Sequence, residues 1–346
     1  MREFITKIYD RCQKFLKDPL FLSYWEQEWT HYRGRATNQI SIRFMSARGR
    51  GRYPYYGTSS MFIEDMYHGV MPFMVYRGER EKYPATLEPH SVQKERLIAE
   101  GISGRGYNRF LGDALCDFVR NATHTLFERG VALYEIVYER NEAGETTSFS
   151  LERVDLYYLF RFFGNYYQLI PWWIAKENHI RVRALKIPGE KILRINMPRR
   201  YGGTRGFERM LKRVWKLGEQ IVPKFQMDAM EENRSIGFDL KMFTDAKYLE
   251  VARLTKCFGW NQRRTSGDNI SEYYSMVRYL RQQKVEASIR NMLIGKLNDA
   301  LNRSPLNLGV TVSMANLPTI EKVEEQEAAL AAGDVTFTDV FNALKI

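Results

Sequence analysis

Along LGDALCDFVRNATHTLFERG the apolar residues Leu111, Leu115, Phe118, Val119 and Leu126 recur at helical spacing, and Gly130 supplies a stop. The period then falls to two. VALYEIVYER alternates as a strand, NEAGE is a turn and TTSFSLERVD returns, which predicts a β-hairpin. HIRVRALKI, PGEK and ILRINMP predict a second hairpin. Between the two, LYYLFRFFGNYYQLIPWW is dense in aromatics, as expected of packing between layers or subunits. Upstream, Phe4, Ile5, Ile8, Cys12, Phe15 and Leu16 mark an amphipathic helical start within residues 1–33. Residues 34–110 are less regular and hold the runs ARGRGRYPYYGTSS and MFIEDMYHGVMPFMVY.

Downstream, Gly202, Gly203 and Gly206 precede a helix with Phe207, Met210, Leu211, Val214, Leu217 and Ile221 on one face. Arg209, Lys212, Arg213 and Lys216 occupy the other. A phosphate-cradling loop needs GxxxxGK[ST], or GxGxxG between strand and helix. GGTRG fits neither, so the glycines read as a turn. SIGFDLKMF is strand-like, TDAKYLEVARLTKCF helical and GWNQRRTSGD a loop. Asn269, with Glu272 three residues on, opens a long helix reaching about Arg303, ahead of Pro305. Val285, Ile289, Met292, Leu293, Leu297, Ala300 and Leu301 form its apolar stripe. Arg281, Lys284, Arg290, Lys296 and Arg303 decorate the remainder. At 1.5 Å per residue this is a rod of roughly 50 Å. A strand (LGVTVSMANLP), an acidic helix (TIEKVEEQEAALAAG) and a small unit with Thr338 and Asp339 at a helix start complete the chain.

Charge sharpens the picture. The net charge is +11, but residues 304–346 hold six acids against two lysines and are −4, leaving +15 on what precedes them. A basic body implies a polyanionic neighbour, nucleic acid first. Arg48, Arg50 and Arg52 alternate with glycine, which reads equally as a flexible basic arm able to follow phosphates or as a solvated loop. The three cysteines are scattered and odd in number, which argues against a disulfide framework. The five histidines show no ligand spacing, so neither a metal nor a cofactor is expected. There is no apolar stretch of membrane-spanning length, and no membrane partner is expected. Asp155, Asp239 and Asp245 stand singly, without the clustered carboxylates of a two-metal nuclease, and GISGRG misses the GxSxG nucleophile elbow.

From about residue 111 onward the order of elements resembles a portal protein (head-tail connector) of a tailed bacteriophage. The likeness rests on GVALYEIVYERNEAGETTSFSLERVD as a wing hairpin and IPGEKILRINMPRRYGGTRGFERMLKRVWK as strand, glycine loop and helix. The long helix ending LIGKLNDALNR and the tail EEQEAALAAGDVTFTDVFNAL complete it. The resemblance implies an α+β, elongated portal-type subunit with a β-hairpin wing, two-helix stem, small clip and C-terminal helical crown. Its segments would be an outer-wing region (1–110), wing hairpins (111–206), a stem helix (207–231) and a clip (232–268). A returning tunnel helix (269–303) and the crown (304–346) follow. It further implies a non-enzymatic virion ring of twelve copies at the capsid vertex, conducting double-stranded DNA. The partners would be the large terminase, the major capsid protein and a head-tail adaptor. Lys284, Arg290, Arg281 and Lys296 would face DNA in the tunnel. The alternative for Lys284 and Arg290 is pairing with acids of a neighbouring stem helix such as Glu219, Glu231 or Glu232. Arg263, Arg264 and Trp260 would face the terminase. The alternatives are a nucleic-acid-processing enzyme or another virion protein such as an adaptor.

Overall fold

The computed structural model describes residues 57–72, 83–103, 110–143, 146–154, 156, 159–169, 184–219, 240–263 and 272–344. The N-terminal helical start, the basic arm Arg48, Arg50 and Arg52, Arg264 and the Asn269 cap lie outside the described residues, as do Asp155 and Asp239. The fold is α+β, and the chain divides into two compact units, each assembled from separate segments.

Among the described residues, the first unit holds 100–103 and those between 133 and 194. Strands β2 (Val131–Arg140) and β3 (Thr146–Arg153) pair antiparallel as expected, Ile136 opposite Leu151 and Tyr138 opposite Phe149. β4 (Leu159–Phe162) and β5 (Asn165–Leu169) make a second hairpin inside the aromatic run, with Phe162 opposite Asn165. Its turn residues, Phe163 and Gly164, have φ of 44° and 78°, the left-handed pair that matches strand twist in a two-residue loop.

The expected hairpin across PGEK does not form. β6 (Ala184–Ile187) joins the sheet β4-β5-β6, whereas β7 (Ile192–Asn196) joins β3-β2-β7. The cause is the tight helical turn Gly189–Lys191, in which the Lys191 N–H bonds the Pro188 carbonyl at 3.0 Å. That turn redirects the chain rather than folding it back. Alternation predicted both strands but not which neighbour each would take.

Among the described residues, the second unit comprises 57–72, 83–99, 110–132, 195–219, 240–263 and 272–344. Two of its helices lie where sequence analysis expects irregular chain: α1 (Thr58–Val70) and α2 (Val92–Ile102). In α1, Phe62, Ile63, Met66 and Val70 are buried and only Ser60 and Glu64 are exposed. A helix covered on most sides carries no clear amphipathic period. α3 (Leu111–Arg129) ends where expected, at a left-handed Gly130. α4 (Gly203–Glu219) buries Phe207, Leu211 and Val214, as its apolar stripe predicts. Gly202, at φ 94°, makes the turn into it, a backbone conformation that a side chain strains.

α5 (Leu240–Leu254) corrects the strand expected over SIGFDLKMF, at least from Leu240 onward. Leu240, Lys241 and Met242 are good helix formers, and the helix continues through buried Tyr248, Val251 and Ala252. The long helix is α6 (Glu272–Leu301). β8 (Thr311–Met314) pairs antiparallel with β1 (Ala85–Glu88), Leu87 opposite Val312. α7 (Ile320–Ala332) is capped by Thr319, whose hydroxyl accepts from Lys322 N–H. α8 (Phe337–Leu344) is capped by Thr336, two residues before Thr338. Thr336 N–H bonds Asp339 Oδ2 at 2.9 Å and Asp339 N–H bonds Thr336 Oγ1 at 3.2 Å, a reciprocal box. The C-terminal helices pack on α6 through Met276, Leu280, Val323, Val340 and Leu344.

Candidate functional site

Helix α6 carries the main concentration of buried charge among the described residues. α1, α3, α7 and α8 pack around it, so the apolar stripe read from sequence is only part of its covered surface. Arg290 is 4% exposed. Its Nε donates to the Val70 carbonyl at 2.8 Å, Nη1 to Pro318 at 2.9 Å and Nη2 to Gly69 at 3.3 Å. The guanidinium thus closes the C-terminal end of α1, where unpaired carbonyls and the helix dipole both favour a cation. Burial lowers its pKa to about 10, which leaves it charged at neutral pH. One turn earlier, Glu286 accepts from Gln282 Nε2 at 2.7 Å and Gln283 Nε2 at 3.1 Å. Burial pushes its pKa up to about 8 against the opposing pull of the Gln282 bond and the Arg290 charge.

A stability consequence follows for Glu286. The native state keeps a proton that the unfolded chain releases near pH 4.5. The stabilisation is therefore full below pH 4.5 and is lost as pH rises to about 8. Within that window the contribution falls by roughly 1 kcal/mol per pH unit. Glu286→Gln should remove that slope, so the variant gains on the parent as pH rises. Urea midpoints of both proteins between pH 5 and 9 check this. Parallel curves would mean that Glu286 is ionised in the native state.

Arg278, 2% exposed, locks the chain after α5 onto α6. Its Nε donates to Asn261 Oδ1 at 2.9 Å, Nη1 to the Ala252 carbonyl at 3.1 Å and Nη2 to the Trp260 carbonyl. The approach is close enough that a Cβ on Gly259 would collide with the α6 backbone at Arg278 and Gln282. This docking seats Phe258 and Trp260 in an aromatic cluster. Phe62 lies at its centre, 5.3 Å from Phe258, 5.2 Å from Trp260, 6.1 Å from Phe127 and 6.4 Å from Phe207, mostly edge-on. The Trp260 indole N–H donates to Asp65 Oδ2 at 2.8 Å. Arg263 bridges Asp65 Oδ1 and Glu64 Oε2, both at 2.7 Å.

These positions revise the expected site. Arg290 does not project outward from the helix. It lies about 100° around the wheel from Ile289, at the edge of the apolar stripe, where the packing of α1 encloses it. Trp260, expected to face a motor, is 1% exposed and belongs to the core. Arg263 remains half-exposed but is committed to Glu64 and Asp65. Of the other tunnel candidates, Lys284 bridges Glu327 at 2.6 Å and Glu324 at 3.5 Å on α7. Lys296 pairs with Asp299 at 3.1 Å. Arg281 donates to the Lys256 carbonyl at 3.2 Å. Asp245 sits on α5; the other two aspartates considered lie outside the described residues.

Sequence reading did not single out Arg278, Glu286 or Asp65. Arg278 was within reach, because it stands seven residues before Val285 and so falls within 20° of the stripe it helps bury. Asp65 gave no signal, since its partners Trp260 and Arg263 are nearly two hundred positions away.

Among the described residues, no three of His, Cys, Asp and Glu converge to hold a metal, and no helix is long and apolar enough to cross a membrane. Cys116 and Cys257 are free thiols. No protein-family model matches the chain, and no curated protein matches its sequence.

Proposed function

We propose that the chain is a portal subunit, one of a closed ring at the capsid vertex through which double-stranded DNA enters and leaves. The observation that carries this reading is the order of elements. A helix is followed by the β2–β3 hairpin, a glycine turn into a basic helix, a 30-residue helix and an acidic helix, then a Thr-capped terminal helix. The wing is the strand-rich unit with β2–β6. The stem, clip and crown comprise the segments after Gly202, and their assembly would be completed by neighbouring copies. The proposed ring has twelve members, with the large terminase, the major capsid protein and a head-tail adaptor as partners. Its work is mechanical and electrostatic. The chain positions DNA and docks other proteins, and no residue makes or breaks bonds.

Negative-stain or cryo-electron microscopy of the purified chain, alone and co-expressed with a capsid scaffold, tests this. Closed rings with a central opening wide enough for a duplex are expected. Monodisperse monomers in both preparations, with intact secondary structure by circular dichroism, would sink the reading.

A further inference from the structure

We propose that the outward face of α4 is a docking surface for the sugar–phosphate backbone of double-stranded DNA. It is formed by Arg205, Arg209, Arg213 and Lys216, with Arg199 and Arg200 at its foot. At 100° per residue the first four fall within an arc of about 80°, opposite the buried Phe207, Leu211 and Val214. All six are exposed, and none has a carboxylate partner among the described residues. Between residues 197 and 218 the sole acid is Glu208, and it is held by Lys212 at 3.1 Å. This sets α4 apart from α6, where Arg290 is held by buried carbonyls and Lys284 and Lys296 are each paired with a carboxylate of the same chain.

Geometry and charge favour phosphates. Arg205 to Lys216 spans about 16 Å of helix, along which a duplex presents roughly ten phosphates. Flexible, solvated cations at one-turn intervals hold a backbone without reading bases, which suits DNA that must slide. The competing occupant is the acidic helix α7 of a second copy. Its Glu324 and Glu327 already hold Lys284, leaving Glu321 and Glu325 against six cations. Each copy also carries +11, a net repulsion that weighs against spending this stripe on a neighbouring copy.

The proposal deepens the portal reading by naming the surface that meets DNA, and its test is independent of ring formation. Fluorescence anisotropy with a mixed-sequence duplex of about 30 base pairs is measured over a range of salt concentrations. Comparison is made between the parent, R205Q/R209Q/R213Q/K216Q, and the charge-keeping R205K/R209K/R213K. The glutamine variant should bind at least ~10-fold more weakly at low salt, with a slope of log K against log salt shallower by roughly 3 to 4. The lysine variant should keep the parent slope. Thermal melts confirm that folding is intact. Should the quadruple variant unfold, R205Q and R213Q alone should each flatten the slope by about one. An unchanged slope overturns the assignment, as does a loss of salt-sensitive self-association with DNA binding intact, which would give the stripe to α7 of a neighbour. Rings that form while the variant binds DNA normally reject the stripe and keep the portal reading. Stripe-dependent binding by a chain that never closes rings does the reverse.

Discussion

Arg290→Gln is expected to destabilise the second unit by roughly 3–5 kcal/mol, the cost of breaking a buried charged network from one side. The glutamine is shorter and cannot reach all three carbonyls that the guanidinium holds. The Gly69 and Val70 carbonyls would be left buried without a donor, and desolvated acceptors of this kind are costly. Arg290→Lys should rescue only part of the loss, because a single ammonium lacks the planar fork that spans two chain segments. Urea denaturation followed by circular dichroism checks both variants. Lys284→Gln is the internal comparison. Its bridges to Glu324 and Glu327 lie at the surface, where such pairs contribute about 0–1 kcal/mol. If Arg290→Gln shifts the midpoint no more than Lys284→Gln, the side chain is hydrated and the described burial is wrong.

Phe62→Ala carries the second large effect, about 3–5 kcal/mol. Phe62 is 0% exposed and its ring meets four other aromatic rings drawn from α3, α4 and the chain after α5. Truncation opens a cavity that four rigid rings cannot collapse to fill. Phe258→Ala should be similarly costly. The double variant should lose less than the two single losses together, since the Phe62–Phe258 contact would be counted twice. Phe163→Ala, at an 86% exposed hairpin tip, should change stability by less than about 0.5 kcal/mol. A Phe62→Ala protein as stable as its parent would mean that this cluster is not a core.

Local patterns reached the secondary structure where one face of an element is wet. α4, α7 and β3 all show their period in the sequence, and all have an open polar side. α1 does not, because nearly every face of it is covered, and its aromatic and acidic residues look patternless until Trp260, Arg263 and Arg290 are seen against them. Strand partners were equally hidden. Ile187 and Ile192 are separated by one tight turn, yet they enter different sheets, and alternation carries no address.

The charged residues divide in the same way. On α4 the cationic and apolar positions separate cleanly around the helix, so the exposed stripe was legible. On α6 charged residues appear on every side, and burial is decided by helices that join it from distant parts of the chain. A wheel drawn for α6 alone cannot tell Arg290, sealed behind α1, from Lys284, at the surface beside α7.

The pairing of β1 with β8 has a consequence for how the chain comes to be folded. Thr86 and Ser313, whose hydroxyls bond at 2.6 Å across the two strands, stand 227 positions apart. Contacts of such separation form late, because the loop they close must be ordered first. During synthesis β1 emerges early and waits, with both edges unpaired, while more than two hundred residues follow it. An open strand edge on a ribosome crowded with sister chains is a template for the wrong partner. The four-residue length of β1 and its terminal Glu88 make it a poor one, and the strand stays available until Thr311–Met314 arrives.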